Sequence, residues 1–387
     1  MEQSSETLEM FRDTVRKFIE REVSLEDVAK WERDDTMPRS LLGKMADLGI
    51  LGLTVPEEYG GMGLDVPAMV TVMEELGYRW SALAGFYNMA VAYGALNLVF
   101  KGTEEQKMKF LPQIVAGECV FALGLSEPDV GADLGNVKTR AERHGDKVVI
   151  NGAKRWISGA DIADYVLMFV RSGDPDAKRR NLSYVIVPTG LEGMAITRAP
   201  NMGSNVIATC DIILENVEVD ADLILGGPEG WNNGWSMLAG PSLEIEKLIP
   251  SIMALGIARA AIDEAWEYSQ QRVQGGKHIC GHQAVRHTLA EAKTKLKACQ
   301  LMVQEAARMV QHGEDSAVQT SMTKLFVSEN AKDIVLSCQQ YVMGAYGYAE
   351  GFQMERLVRE ILGFPIFAGS SAIQKNNIAN LLKLPRD

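Results

Sequence analysis

The residue pattern changes twice along this chain, and each change restricts what the next stretch can fold into. Up to about residue 118, apolar positions recur every three or four residues: Leu8, Phe11, Val15, Phe18 and Ile19 draw one stripe along an amphipathic helix. "PRSLLGKMADLGI" predicts a second helix ending at Gly49, "TVPEEYGGMGLD" reads as a loop punctuated by Gly and Pro, and helices are expected over 66–79 and about 81–100. Thr103 stands where it can cap a helix whose first turn is rich in carboxylates. From residue 119 the runs become short and β-branched, as in "YVLMFVRS", "LSYVIVPT" and "CDIILENVEV", with the spacing of an all-β sandwich or barrel. From Ser236 long helical runs with short joints return, the makings of an antiparallel bundle. The expected fold class is therefore α+β and multidomain, with an α-helical domain over 1–118, a β domain over 119–233 and a C-terminal four-helix bundle over 234–387.

Bulk properties narrow the function. The net charge of -12, from 51 Asp+Glu against 39 Lys+Arg, repels a phosphate backbone, and no basic run is interleaved with aromatics, so nucleic acid is set aside. The first residues are charged and lack an apolar core, which reads as a mature amphipathic helix rather than a signal peptide. No uninterrupted apolar stretch of about 18 residues is found, and no membrane span is expected. Five dispersed cysteines without a C-x-x-C pair suit a reducing compartment. The cytoplasm is the default, with a mitochondrial form already stripped of its transit peptide as the alternative.

Two segments carry chemistry. "GLSEPDVGADLG" offers backbone N–H groups in a turned loop and the Ser126 hydroxyl, suited to the polar edge of a flat heterocycle. In "INGAKRWIS" Trp156 supplies an apolar face, and Ser158, two residues on, is expected on the same side of a strand. "HICGHQAVRH" gathers His278, Cys280, His282 and His287, but no catalytic carboxylate accompanies them. This tract reads as a polar loop after a helix, and no metal is expected.

These two segments, with "LPQIVAGECVFALGLSEP", "LGLTVPEEYGGMGLD", "LENVEVDADLILG", "ARAAIDEAWEYSQQR" and "ERLVRE", resemble the acyl-CoA dehydrogenase family over essentially the whole chain. The resemblance implies FAD as cofactor, acyl-CoA as substrate, electron-transfer flavoprotein as electron acceptor and a homotetramer. It places the flavin against Leu123, Leu125, Ser126, Gly131, Trp156, Ile157 and Ser158, with Ser158 in a position where Thr is common. Arg272, Gln283, Gln340, Gly344, Ser370 and Ala372 are carried over as further FAD contacts, Arg272 reaching the pyrophosphate of a cofactor held mainly by a neighbouring subunit. Ala132, Leu243, Glu244, Lys247, Ala368 and Gly369 are carried over to the substrate. Several positions depart from the family: Gly275 replaces an aromatic, "MGAYG" holds one extra residue, Ala132 replaces a Ser, and Asn205 and Ile207 replace an Arg and a Ser.

The largest departure concerns the general base. Taking a proton from the carbon beside a thioester carbonyl needs a carboxylate held against that carbon and partly desolvated. Most relatives carry Glu before the glycine of the C-terminal motif, where "GFPIFAGSSAIQ" has Ala368. A minority, of isovaleryl-CoA dehydrogenase type, carry it on the first helix of the last domain, and alignment there selects Glu246. Leu243, Ile249, Pro250 and Met253 share its face at offsets of three, four and seven, which puts Glu246 on a buried stripe. Glu244 points elsewhere and can pair with Lys247. Pro250 should bend or open the helix at the Glu246 carbonyl. The Ala368 backbone N–H keeps a task, bonding the thioester oxygen.

The expected function is α,β-dehydrogenation of a short or medium, branched or cyclic acyl-CoA. Same-fold alternatives are an enoyl-CoA reductase, an oxidase and a dehydrogenase for carrier-protein thioesters. A catalytically silent acyl-CoA-binding subunit is the alternative from another class.

Overall fold

The computed structural model describes residues 5–238 and 241–385. Its first domain is helical: α1 (Ser5–Glu22), α2 (Leu25–Arg33), α3 (Ser40–Asp47), α4 (Val66–Arg79), α5 (Ser81–Asn88), α6 (Asn97–Lys101) and α7 (Glu104–Val115). The α1 stripe is inside, with Val15, Phe18 and Ile19 buried and Leu8 and Phe11 packed on the same core. Thr103 caps α7 by accepting from the Gln106 N–H at 3.2 Å, while the Gln106 side chain accepts from the Thr103 N–H at 3.1 Å, so two orphan donors are satisfied reciprocally. The Gln106 amide also donates to the carbonyls of Asp222 and Ile224 at 2.7 and 2.6 Å, stitching this domain to the next.

A π-helical stretch over Met89–Leu96 joins α5 to α6. The whole run Ser81–Lys101 is long and apolar enough to cross a membrane by length and composition, contrary to the reading from uninterrupted runs, which Asn88 and Gly94 break. Since 78% of its most apolar window is buried inside the protein, it is a core helix.

The β region is one curled sheet rather than two packed sheets. Its strands are β1 (Phe121–Gly124), β2 (Arg140–His144), β3 (Lys147–Ser158), β4 (Tyr165–Arg171), β5 (Leu182–Pro188), β6 (Met194–Ala199) and β7 (Thr209–Asp220). They run in the order β1-β4-β2-β3-β7-β6, with β5 also paired to β4. Both β1 and β2 are parallel to β4, at opposite ends: Phe121 pairs with Tyr165, and Arg140 with Arg171. Two short helices, α8 (Gly227–Gly230) and α9 (Gly234–Leu238), lead out of the sheet.

The last domain consists of α10 (Pro241–Gln271), α11 (Gln283–Gln311), α12 (Ala317–Cys338), α13 (Gln353–Ile361) and α14 (Ser371–Leu381). Helix α10 is the axis of the molecule, packing on α4, α11, α12 and α13. It stays helical through Pro250, so the lost hydrogen bond does not open the chain; neighbours along its length hold it. At Gly256 a Cβ would sit 2.6 Å from the Tyr78 nitrogen and 2.7 Å from the Glu74 oxygen, so only glycine lets α10 touch the α4 backbone. Beside that contact Glu75, 1% exposed, accepts from Arg12 at 2.5 Å, Arg16 at 3.1 Å and Arg259 at 2.6 Å, joining α1, α4 and α10. Burial pushes the Glu75 carboxyl up, but Arg259, Arg16 and Arg12 outweigh it and hold it at about 2.

Candidate active site

Glu246 lies in the second turn of α10, opposite the short helix α6. Asn97 and Lys101 are one turn apart and therefore share a face. The Asn97 Nδ2 donates to Glu246 Oε1 at 3.2 Å, and Lys101 Nζ donates to Asn97 Oδ1 at 2.5 Å. Asn97 is itself fixed, donating also to the carbonyls of Ala92 and Tyr93 in the π-helical stretch at 3.1 and 3.2 Å. Tyr184 of β5 carries Lys101 over its ring at 5.5 Å. Burial raises the Glu246 carboxyl above the ordinary range, although the Lys101 charge and the Asn97 hydrogen bond pull it down. Burial and the same carboxylate push Tyr93 up to about 12. Burial lowers Lys101, with Glu246 opposing. Sequence reasoning passed over Asn97 and Lys101; the signal available was a pair of polar residues four apart at the end of an apolar helix.

Leu243 is half-buried on the Glu246 face. Glu244 and Lys247 pair at 2.9 Å, and Thr320 of α12 also donates to Glu244, so both charges are engaged inside the bundle. Ala132 is exposed in the loop after β1. Ala368 is exposed with φ +52, in the left-handed region, and Gly369 follows with φ +78. Three contacts hold this bend: Lys324 Nζ donates to the Phe364 carbonyl at 2.9 Å, Gln374 Nε2 to the Gly369 carbonyl at 3.0 Å, and the Ser371 N–H to the Pro365 carbonyl at 2.9 Å. Among the described residues nothing accepts from the Ala368 N–H.

The two flavin segments predicted from sequence lie side by side, the Arg155 N–H donating to the Ser126 carbonyl at 2.9 Å. Buried Lys154 anchors them, donating to the Leu125 carbonyl at 3.2 Å and to Glu127 at 2.9 Å. Leu123 and Leu125 are half-buried and Gly131 is exposed. The simple alternation expected between Trp156 and Ser158 does not hold. The β3–β7 register slips between Lys154 and Ile157, and Trp156 has φ +64, a bulge that turns its ring out of the sheet. Trp156 is 53% exposed, with the Arg155 guanidinium 4.5 Å from its ring centroid; Ile157 is buried and Ser158 half-buried.

Arg272 lies over the Tyr346 ring at 5.2 Å and faces no carboxylate among the described residues. The tract that follows it is a tight hairpin rather than a plain loop: β8 (Val273–Gln274) pairs with β9 (Lys277–His278). Gly275 and Gly276 both have positive φ, which explains why an aromatic is absent at 275. His282 pairs with the Gln274 carbonyl at 2.9 Å, and exposed Gln283 lies 3.5 Å from His287. The extra residue of "MGAYG" is absorbed by a π-helical turn over Gln339–Met343, after which Gly344 takes φ +57; Gln340 is exposed. Ser370 caps α14 through the Ile373 N–H at 3.4 Å, and Ala372 is exposed. No hydrogen bond or ring contact among the described residues links Arg272, Gln283 or Gln340 to Trp156. A half-exposed indole beside a turned backbone, with Arg155 over one of its faces, and an Arg without an acidic partner fit the ring and pyrophosphate of FAD.

Comparison with known proteins agrees with this architecture. Residues 5–118, 122–217 and 232–383 match the N-terminal, middle and C-terminal domains described for acyl-CoA dehydrogenases. The chain is 38% identical to a 3-(aryl)acrylate reductase of Clostridium sporogenes, covering 98% of this chain and 99% of that one. It is 33% identical to the caffeyl-CoA reductase-Etf complex subunit CarC of Acetobacterium woodii, covering 98% of each. The solved acyl-CoA dehydrogenase of Geobacillus kaustophilus superposes with a TM-score of 0.92 at 29% identity over 99% of both chains.

Proposed function

This chain belongs to the acyl-CoA dehydrogenase family of FAD-dependent oxidoreductases acting on CH–CH groups, and we propose that Glu246 is the residue that exchanges a proton with the α-carbon of its acyl-CoA. The observation that carries this reading is the Glu246 carboxylate, half-buried on α10 and hydrogen-bonded by Asn97, on the helix that the missing acid at Ala368 leaves as the alternative; burial raises its proton affinity. A carboxyl raised toward working pH is a better base than a solvated one. The free N–H of Ala368 is offered to the thioester oxygen, where charge develops as the α-proton leaves. FAD, when bound, would supply the hydride acceptor for the β-hydrogen. Trp156, Ser158 and the loop at Ser126 orient that cofactor, and Arg272 serves the pyrophosphate of a neighbouring copy.

Several further features bear on assembly, redox partner and substrate. Tyr341, Tyr348, Ile366 and Leu384 of the last domain are 67%, 85%, 70% and 67% exposed, apolar surface suited to a second copy and thus to a homotetramer. The relative named as part of an Etf complex favours an electron-transfer flavoprotein as redox partner. Five free cysteines fit the reducing cytoplasm. The acyl group is taken as short to medium, and branched, cyclic or otherwise unusual. Relatives named as reductases favour a second reading, in which the same residues run the step in reverse and protonate the α-carbon of an enoyl-CoA. An anaerobic panel of acyl- and enoyl-CoAs tests both. Bleaching of the oxidised flavin by a saturated thioester supports dehydrogenation, and reoxidation of the reduced flavin by an enoyl thioester supports reduction. If no thioester of either kind changes the flavin, both readings fall.

A further inference from the structure

Glu246 on α10 does not stand alone, because the helix that faces it brings Asn97 and Lys101. Asn97 bridges Glu246 Oε1, at 3.2 Å, to Lys101 Nζ, at 2.5 Å, and the Asn97 amide is locked by two backbone carbonyls of its own helix. Asn97 is buried, and Lys101 is enclosed on one side by the Tyr184 ring at 5.5 Å. On the other side Lys101 lines a cavity of about 470 Å3 together with Thr103, Asn233, Ser236, Glu229 and Ser242. Ser242 lies one turn before Glu246 on α10, so the cavity that Lys101 lines reaches the turn of α10 that precedes the carboxylate.

The titratable groups facing Glu246 can be named element by element. The π-helical stretch presents Tyr93, α6 presents Lys101, and β5 presents Tyr184. On α10 itself, Glu244 and Lys247 neutralise each other at 2.9 Å and lie toward α12. Both tyrosines are held neutral by burial, so Lys101 is the charge that acts on the carboxylate. A cation one bridging amide away favours the charged form of an acid, and a bridge of fixed geometry restricts its rotamer.

We infer that Lys101, acting through Asn97, is a positioning residue that aims the Glu246 carboxylate and holds it ionised for proton exchange. This inference rests on the reading of Glu246 as the base. Neither residue needs to touch substrate, and neither passes on the proton, since an Asn amide does not titrate.

The test is the pH dependence of anaerobic flavin reduction by an acyl-CoA that bleaches the wild type, or of flavin reoxidation by an enoyl-CoA if only that direction is active. It is measured for wild type, Lys101→Met, Lys101→Arg and Glu246→Gln, each checked for flavin content and melting temperature. A base works in its ionised form, so in the oxidative direction the rate is present above its pKa and lost as pH falls through it. Removing the nearby cation raises that pKa. For Lys101→Met the limb moves to higher pH by about one unit, a roughly tenfold loss of rate on the acid side, while Lys101→Arg returns the limb toward wild type. In the reductive direction the proton-donating limb moves the same way. A limb that stays in place in Lys101→Met, or a uniform loss at every pH, overturns the inference. If Glu246→Gln itself keeps the wild-type rate and profile, the assignment of the base has failed instead. Should Lys101→Met not fold, Lys101→Gln, which also removes the charge, is read in the same way.

Discussion

Glu75 joins the helix that carries the proposed base to the rest of the protein, and the consequence of removing it can be worked out in two ways. Its carboxylate is 1% exposed and meets three guanidinium groups, from Arg12, Arg16 and Arg259. Taking one partner from a buried ion network costs about 3–5 kcal/mol, because buried charges are left uncompensated. The low end applies, since Glu74 still meets Arg259 at 2.6 Å and Arg12 at 3.5 Å. Independently, a carboxyl lowered from 4.5 to about 2 on folding is worth about 3 kcal/mol at roughly 1.36 kcal/mol for each pH unit. With an unfolding entropy of about 2.1 cal/mol/K per residue, that loss lowers the melting temperature of a chain this long by roughly 4 °C. The sign in pH follows from linkage. A carboxyl with a depressed folded pKa contributes fully above its unfolded value of 4.5 and progressively less as pH falls toward 2. Calorimetry of wild type and Glu75→Ala at pH 7 and at steps from 5 to 3 checks both. The wild type should lose stability more steeply on acidification than the variant. A drop under 1 °C at pH 7, or identical slopes below pH 5, refutes the reasoning.

Two further outcomes follow from the geometry. Gly256→Val should push α10 away from α4 and cost on the order of 1–3 kcal/mol in denaturant unfolding, because a Cβ there has only backbone to meet; an unchanged midpoint contradicts the close approach. Trp156→Ala should release FAD more readily, read as a lower flavin-to-protein absorbance ratio after gel filtration, with the apoprotein fold intact by circular dichroism because the indole is already outside the core.

The three-part architecture was legible because helical and strand periodicities are local: α4 spans the expected 66–79, and Thr103 caps α7 as its spacing suggests. Strand order was not legible, since pairing β1 parallel to β4 joins residues more than forty apart and depends on the closure of the whole sheet. Single inserted residues were also hidden. At Trp156 a bulge, and at Gln339–Met343 a π-helical turn, absorb one residue each without a sequence signature, and both fall where cofactor contacts were expected. For the proposed base, the family resemblance and the apolar face of the first helix of the last domain together point to Glu246. Their spacing marks Asn97 and Lys101 as a polar pair but not as neighbours of Glu246, which lies nearly 150 residues from Asn97.

The most direct measurement is hydrogen exchange at the α-carbon of a bound acyl-CoA, followed in D2O under anaerobic conditions by mass spectrometry, for wild type and Glu246→Gln. If Glu246 is the proton acceptor, wild type incorporates deuterium and the variant does so on the order of 10²–10⁴-fold more slowly. Incorporation by Glu246→Gln at the wild-type rate would mean that another group holds the proton and that this carboxylate is only part of the core.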